Sequence, residues 1–557
     1  MSSVVHDPTG YALPDVQKRF LRWTVYVGYA ALAAGVAHGL AQALSYADVD
    51  ILRYFPRLKS YYQGLTAHGV ANALIMTFAF ANGFLPLMTG RALGRPLSTR
   101  LIVTSFALLM VGNVLAAYAV ISNQASVLYT SYAPLQAHWT YYLGLALVVV
   151  STWVASLNMF LALRSWRREH PGERIPLLAY ISVLSYAMWD LASLGIAVSF
   201  LGFLLPWSLG ILERVDPLFN RTLFWFTGHA IVYAWLLPAY VSWYALVPRQ
   251  VEGKLVSDPL TRVVFVMFLL LSIPTGFHHQ YTDPGISTGM KAMHAVLTFG
   301  VFYPSLATAF TVVAGLEMGG RKRGGAGLLG WIWKLPWGDP SVTAQVLAML
   351  TFVFGGITGL INASYTVNQV VHNTTWIPGH FHMTVGSAVA LTFIGIAYWL
   401  VPYLTGNNLW GRRLALAQSW LWLVGMLVFA RGQISAGLQG VPRRTAFADA
   451  VYKDFIDGLD VPNWLTAIGG TMMGLSGLLI FLVIAGTVMG LAGRNHEQEV
   501  PVAETRIGST RRIWPWLDNY KLWVVLAVLL VVLAYLPFMI TYVPENFTAV
   551  GAPFDLY

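Results

Sequence analysis

The chain has 557 residues, 57% hydrophobic and only 10% charged, with a formal net charge of +10. Soluble domains carry about a quarter charged residues, so the composition excludes an ordinary soluble protein. The sequence contains no cysteine, which excludes disulfides, thiolate metal sites, iron–sulfur clusters and CxxCH haem attachment; any metal must be held by histidine or oxygen.

The opening stretch MSSVVHDPTGYALPDVQKRF lacks the apolar core and small-residue cleavage site of a signal peptide. Beyond it, apolar runs reach the ~20 residues that cross a bilayer. About thirteen spans are expected, near 24–45, 66–89, 101–121, 139–163, 176–207, 222–247, 262–281, 291–317, 342–364, 378–402, 414–436, 464–493 and 519–543. With the N-terminus in the cytoplasm, Lys and Arg gather in inside loops such as RSWRREHPGER (164–174) and RKRGG (321–325), whereas the outside loop SNQASVLYTSYAPLQAH (122–138) has none. This positive-inside pattern accounts for the net charge without invoking nucleic acid. There is no long linker and no internal repeat of the transporter kind, so residues 1–557 are expected to form one all-α, polytopic, membrane-embedded domain.

Ionisable groups at membrane depth are costly and mark function. Six histidines stand out: His68 in QGLTAHGVANA, His229 in FTGHAIVYAW, His278 and His279 in PTGFHHQYTD, and His380 and His382 in PGHFHMTV. Residues i and i+2 of a helix lie about 200° apart, so His380 and His382 face two different sites. Haem iron takes one axial imidazole or two, and imidazole suits copper. Three histidines on spans 6 and 7 can make one copper site. His68 with one member of the span-10 pair can hold a haem, and the other member a second haem. His38, His138 and His294 are expected to be structural.

At these residues the sequence resembles subunit I of the haem–copper oxidases, closest to the B family of ba-type cytochrome c oxidases. PGHFH, GFHHQ, YYQGLTAHGV, GHAIVY and VPRR occur in order, and the resemblance covers nearly the whole chain. It implies the subunit I fold, with His68 and His382 as axial ligands of a low-spin, b-type haem. It implies His380 as ligand of a high-spin, a-type haem and His229, His278 and His279 as ligands of one copper ion. Tyr233, one turn beyond His229, would be joined covalently to it and would supply an electron and a proton to oxygen.

Tyr233, Tyr240 and Tyr244 lie within about 20° of one helix line, with Pro238 a candidate bend. By resemblance they form a proton path with Ser305, Thr308 and Thr311. Ile231 stands where the A family has a glutamate, and Ala230 where proline usually follows the copper histidine. Arg443 and Arg444 in GVPRRTA suit haem propionates, with His372 close to them. Asn368 replaces an acid frequent in relatives, which leaves His372 or a propionate to store pumped protons. Asp190, in YAMWDLASLG, is outside these motifs and is expected to be protonated and hydrogen-bonded to a neighbouring helix.

The resemblance implies reduction of dioxygen to water with proton pumping, in the inner (plasma) membrane of a prokaryote. A partner subunit II would carry the dinuclear copper site and accept electrons from cytochrome c or a small copper protein; a quinol donor stays open. The alternatives are a nitric oxide reductase with non-haem iron, which requires acids near spans 6 and 7, and a non-redox transporter.

Overall fold

The computed structural model describes residues 11–547 apart from 12, 52–53, 55–56, 447–449, 451–455, 496–497 and 508–514; most of the opening stretch thus lies outside the described residues. The described residues are predominantly helical. Among the described residues, eleven helices are long and apolar enough to cross a membrane. In chain order the helices begin with α1 (Asp15–Ser45), α2 (Tyr61–Ala92), α3 (Thr99–Ile121), α4 (Trp139–Glu169) and α5 (Leu177–Ser208). Four shorter or mixed elements follow: α6 (Pro217–Gly228), α7 (Ala230–Ala245), α8 (Asp258–Leu271) and a 3₁₀ turn at Gly276–Gln280. The remainder are α9 (Thr288–Lys322), α10 (Pro340–Ala363), α11 (Tyr365–Val371), α12 (Trp376–Thr405), α13 (Arg412–Leu438), α14 (Asp460–Val488) and α15 (Tyr520–Phe547).

The expected spans near 222–247 and 262–281 are the two not found as single long helices. The first is interrupted at His229, between α6 and α7, where the N–H of Val232 bonds to the His229 carbonyl at 3.1 Å in a tightened turn. Ala230 therefore does not remove the irregularity that a proline would impose. The second stops at Leu271, just before Pro274, which lacks the N–H needed to continue the ladder. By contrast, α7 runs through Pro238 without ending.

Local chemistry sets the starts. Ser60, Asp216, Ser257, Ser287 and Asp339 each accept a backbone N–H in the first turn of the helix they precede, satisfying a donor with no partner inside the helix. Pro217 and Pro340 follow two of these caps, where a missing N–H costs nothing. Helices α3 and α4 pack backbone to backbone: a Cβ on Gly112 would stand 2.5 Å from the Gly144 carbonyl oxygen, the close approach that small residues permit between membrane helices.

Helix α15 is tied to the bundle along its length. Arg262, 1% exposed at its side chain, bridges Asp258 at 2.7 Å and Asp518 at 2.5 Å, donates to the Ile175 carbonyl at 2.6 Å, and lies 4.5 Å from the Tyr180 ring centre. Further along, the Tyr535 hydroxyl donates to the Ile273 carbonyl at 3.1 Å, and Tyr542 to the Asp216 carboxylate at 2.9 Å. A short parallel pair, β1 (Leu255–Ser257) with β2 (Thr505–Ile507), joins the segment before α8 to the segment before α15.

Candidate metal centre

The six histidines singled out from the sequence line one cavity of about 580 Å³, together with Tyr233, Ser305, His372, Arg443 and Arg444. Helix α2 changes to π-helical winding at Val70–Met76, two positions after His68, and α12 does the same at His382–Val389. Such π segments recur at functional sites, because one extra residue per turn rotates a side chain off the regular helical face.

His68 and His382 face each other across the cavity, their rings 5.9 Å apart and 11° from parallel. Each Nδ1 donates to a backbone carbonyl, His68 to Gly35 at 2.7 Å and His382 to Pro378 at 2.8 Å. This fixes the tautomer and leaves Nε2 with a free lone pair. The separation of the ring centres exceeds ring-on-ring stacking contact.

His380 turns the other way, against α10. Its Nδ1 lies 2.9 Å from the Thr358 hydroxyl, which itself donates to the Gly355 carbonyl at 2.9 Å, so His380 is the donor and its Nε2 stays free. Gly359 leaves the room: a Cβ there would stand 3.1 Å from His380 Cε1. The i, i+2 histidines thus serve separate places.

The third group is compact. His229, His278 and His279 offer nitrogen atoms that all lie within 4.8 Å of one another. His229 Nδ1 faces His279 Nε2 at 3.4 Å, while His229 Nε2 is buried with no hydrogen-bond partner. His278 Nδ1 donates to the Thr298 hydroxyl at 2.8 Å, and His279 stacks on Trp225 at 3.8 Å. No acidic side chain belongs to this cluster among the described residues. A cluster of three imidazoles with free nitrogens fits copper, and a facing histidine pair fits a haem.

The Tyr233 ring lies 4.9 Å from His229. Farther along α7, the Tyr244 hydroxyl donates to Thr308 at 3.0 Å, and the Tyr240 hydroxyl is buried beside it. Thr308 and Thr311 donate to carbonyls of their own helix, Pro304 and Ala307, as hydroxyls in membrane helices commonly do. Thr308 still accepts from Tyr244, and Ser305 reaches the cavity wall.

On the loop side, Arg443 donates to the Asn373 side chain at 2.9 Å, and Arg444 lies over the rings of Tyr129 and Tyr132. Neither arginine pairs with a carboxylate among the described residues. Burial, with the nearby Arg444, pulls Arg443 down to about 9; an anion in the cavity would relieve that cost. Burial and the cations Arg443, Arg221 and Lys291 pull His372 down to about 4, so its ring is neutral. His372 Nδ1–H donates to Asn368 Oδ1 at 2.8 Å and its Nε2 is buried with no partner. Asp190 accepts from Ser156 on the neighbouring α4, and its second oxygen is buried and unpartnered.

Sequence reasoning did not single out Thr358, Thr298 or Trp225, which orient the histidines. Hydroxyls and aromatics are common in membrane helices, and only their rotation towards a ligand nitrogen gives them this role.

Residues 19–472 match the family described as Cytochrome C and Quinol oxidase polypeptide I. The chain belongs to this family. It is 45% identical to cytochrome c oxidase subunit 1 of Thermus thermophilus over 92% of this chain and 93% of that one. It is 25% identical to cytochrome c oxidase polypeptide 1 of Halobacterium salinarum over 85% of this chain and 80% of the other. A heme–copper terminal oxidase solved as a dimer by cryo-EM superposes with a TM-score of 0.88 at 34% identity, covering 94% of this chain and 92% of that one. The oxidase is therefore the membrane-embedded catalytic subunit of a haem–copper terminal oxidase with cytochrome c oxidase activity, and subunit I implies a subunit II beside it. Nitric oxide reductase and transporter readings are not favoured.

Proposed function

We propose that the three histidine groups divide the labour of oxygen reduction within one domain of the B family. His68 and His382 hold a low-spin b-type haem, His380 holds a high-spin a-type haem, and His229, His278 and His279 hold copper. When bound, these groups supply electron transfer and the reduction of dioxygen to water. The observation that carries the reading is the convergence of the three-nitrogen cluster, Tyr233 and His380 on one cavity.

The chain's own residues manage position and protons. Backbone carbonyls of Gly35 and Pro378 and the hydroxyls of Thr298 and Thr358 fix which imidazole nitrogen faces the cavity. Tyr233 supplies a proton and an electron to the reacting oxygen. Tyr244, Thr308, Tyr240, Ser305 and Thr311 line the path that returns the proton from the cytoplasm; Ile231 in place of a glutamate favours this single route. Arg443 and Arg444 take haem propionates. His372 or the propionate beside it is the place for a pumped proton that Asn368 cannot bind. Electrons arrive from cytochrome c or a small copper protein through a dinuclear copper site on subunit II, in a prokaryotic plasma membrane with the N-terminus cytoplasmic.

The test is metal analysis of the purified complex with dithionite-reduced and carbon monoxide spectra. Two haems per chain, one binding carbon monoxide, with copper in this subunit are expected. Iron in excess of haem with no copper here would instead indicate a non-haem iron enzyme.

The low-spin pair has its own check. A Cβ on Gly39 would stand 2.7 Å from His68 Cε1 and Nδ1, although alanine is the better helix former. Gly39→Ala is expected to displace His68 and shift or abolish the low-spin haem band while copper stays. An unchanged reduced-minus-oxidised spectrum would contradict the assignment of His68.

A further inference from the structure

His294 lies on α9 outside the ligand set and is fully buried, 0% exposed. Its Nε2 lies 3.1 Å from the Ala534 carbonyl on α15. A carbonyl only accepts, so Nε2 carries the proton and Nδ1 keeps its lone pair. That Nδ1 accepts the backbone N–H of Phe277 at 3.3 Å, the residue immediately before His278. Both ring nitrogens are thus used, one towards each of two elements with no covalent continuity between them.

The backbone of the same residue supports the neighbouring ligand. Thr298 donates to the His294 carbonyl at 2.6 Å and accepts from His278 Nδ1 at 2.8 Å. The His294 ring also packs 4.2 Å from the Phe277 ring and 5.1 Å from Tyr535. Gly276, at the start of the turn, has no room for a side chain: a Cβ would meet the Trp225 carbonyl oxygen at 2.2 Å and the Tyr535 hydroxyl at 2.4 Å. The 3₁₀ turn that presents His278 and His279 is therefore wedged between α6 and α15, with His294 as the hydrogen-bonded link.

We propose that His294 is a positioning residue for the copper histidines, and that through Ala534 it makes α15 part of the support of that site. The inference rests on the assignment of copper to His229, His278 and His279. His294 does not touch the metal; it fixes the backbone of the turn from which two ligands project. The two halves of its role are separable chemically. Asparagine can place an acceptor where Nδ1 stands, and glutamine a donor where Nε2 stands.

The experiment compares His294→Phe, His294→Gln and His294→Asn in the intact complex. Copper retention is measured by competition with a chelator, and site geometry by the infrared band of carbon monoxide photolysed onto copper. Phe and Gln are expected to weaken copper retention by about 10–100-fold, the usual effect of losing an outer partner of a ligand, and to shift the band. Asn is expected to restore most of both, the remaining shortfall being the lost bond to Ala534, with the low-spin haem spectrum unchanged throughout. Parent-like copper and an unmoved band in His294→Phe would overturn the proposal, as would equal behaviour of Asn and Gln. Should the Phe variant fail to assemble, the Asn–Gln contrast decides. Absence of copper from the parent chain overturns the copper assignment itself, whereas copper in the parent without that contrast overturns only the role of His294.

Discussion

Tyr233→Phe is expected to leave haems and copper in place and to lower oxygen reduction by about 10²–10⁴-fold, the range lost with a positioned proton donor. The ring stays, so its packing against Phe268 at 5.1 Å and beside His229 is retained; only the hydroxyl goes. The lesion is therefore chemical and not architectural. An oxygen electrode with reduced cytochrome c, alongside metal content, measures it. Turnover within twofold of the parent at full metal content would remove Tyr233 from the mechanism.

The second large effect is structural. Arg262→Met should cost about 3–5 kcal/mol, because breaking a buried ion pair leaves unneutralised charge behind. The guanidinium serves two carboxylates, a carbonyl and an aromatic face at once. Asp258 keeps Arg174 as a partner, whereas Asp518 keeps, among the described residues, the Ile175 N–H at 3.2 Å. The end of α15 beside Asp518 is thus the part expected to loosen, with faster hydrogen exchange around Tyr520 and a lower midpoint of thermal haem loss. Arg262→Lys should recover part of the loss at most, since a single ammonium cannot reproduce the planar fork. An unchanged midpoint and unchanged exchange would show that the cluster does not hold α15.

The six histidines that the structure gathers around one cavity stood out in the sequence because histidine in an apolar run is conspicuous and because i, i+2 spacing has one geometric meaning on a helix. The structure places His380 against Thr358 and His382 opposite His68, as that spacing requires. The tyrosine alignment was legible for the same reason: it follows from angular arithmetic along one element. Hydropathy could not show where α6 and α7 part at His229, since one irregular turn leaves the average polarity unchanged. Nor could it show the π segments after His68 and at His382, which depend on how neighbouring helices press on the turn. His294 looked like a packing histidine because its partners, Phe277 and Ala534, lie 17 and 240 positions away. Only the folded arrangement brings them to its two nitrogens.

The position of α15 in the chain also sets an order of events in biogenesis. Chains are made from the N-terminus, so the turn bearing His278 and His279 enters the membrane long before Ala534, Tyr535 and Asp518 have been synthesised. Until α15 arrives, that turn lacks one of the walls that fix it, whereas Gly35, whose carbonyl orients His68, precedes it in the chain. The two ends of the same cavity therefore mature at different times: the His68 wall can form once α1 and α2 are made, and the His278–His279 wall closes only when α15 joins the bundle.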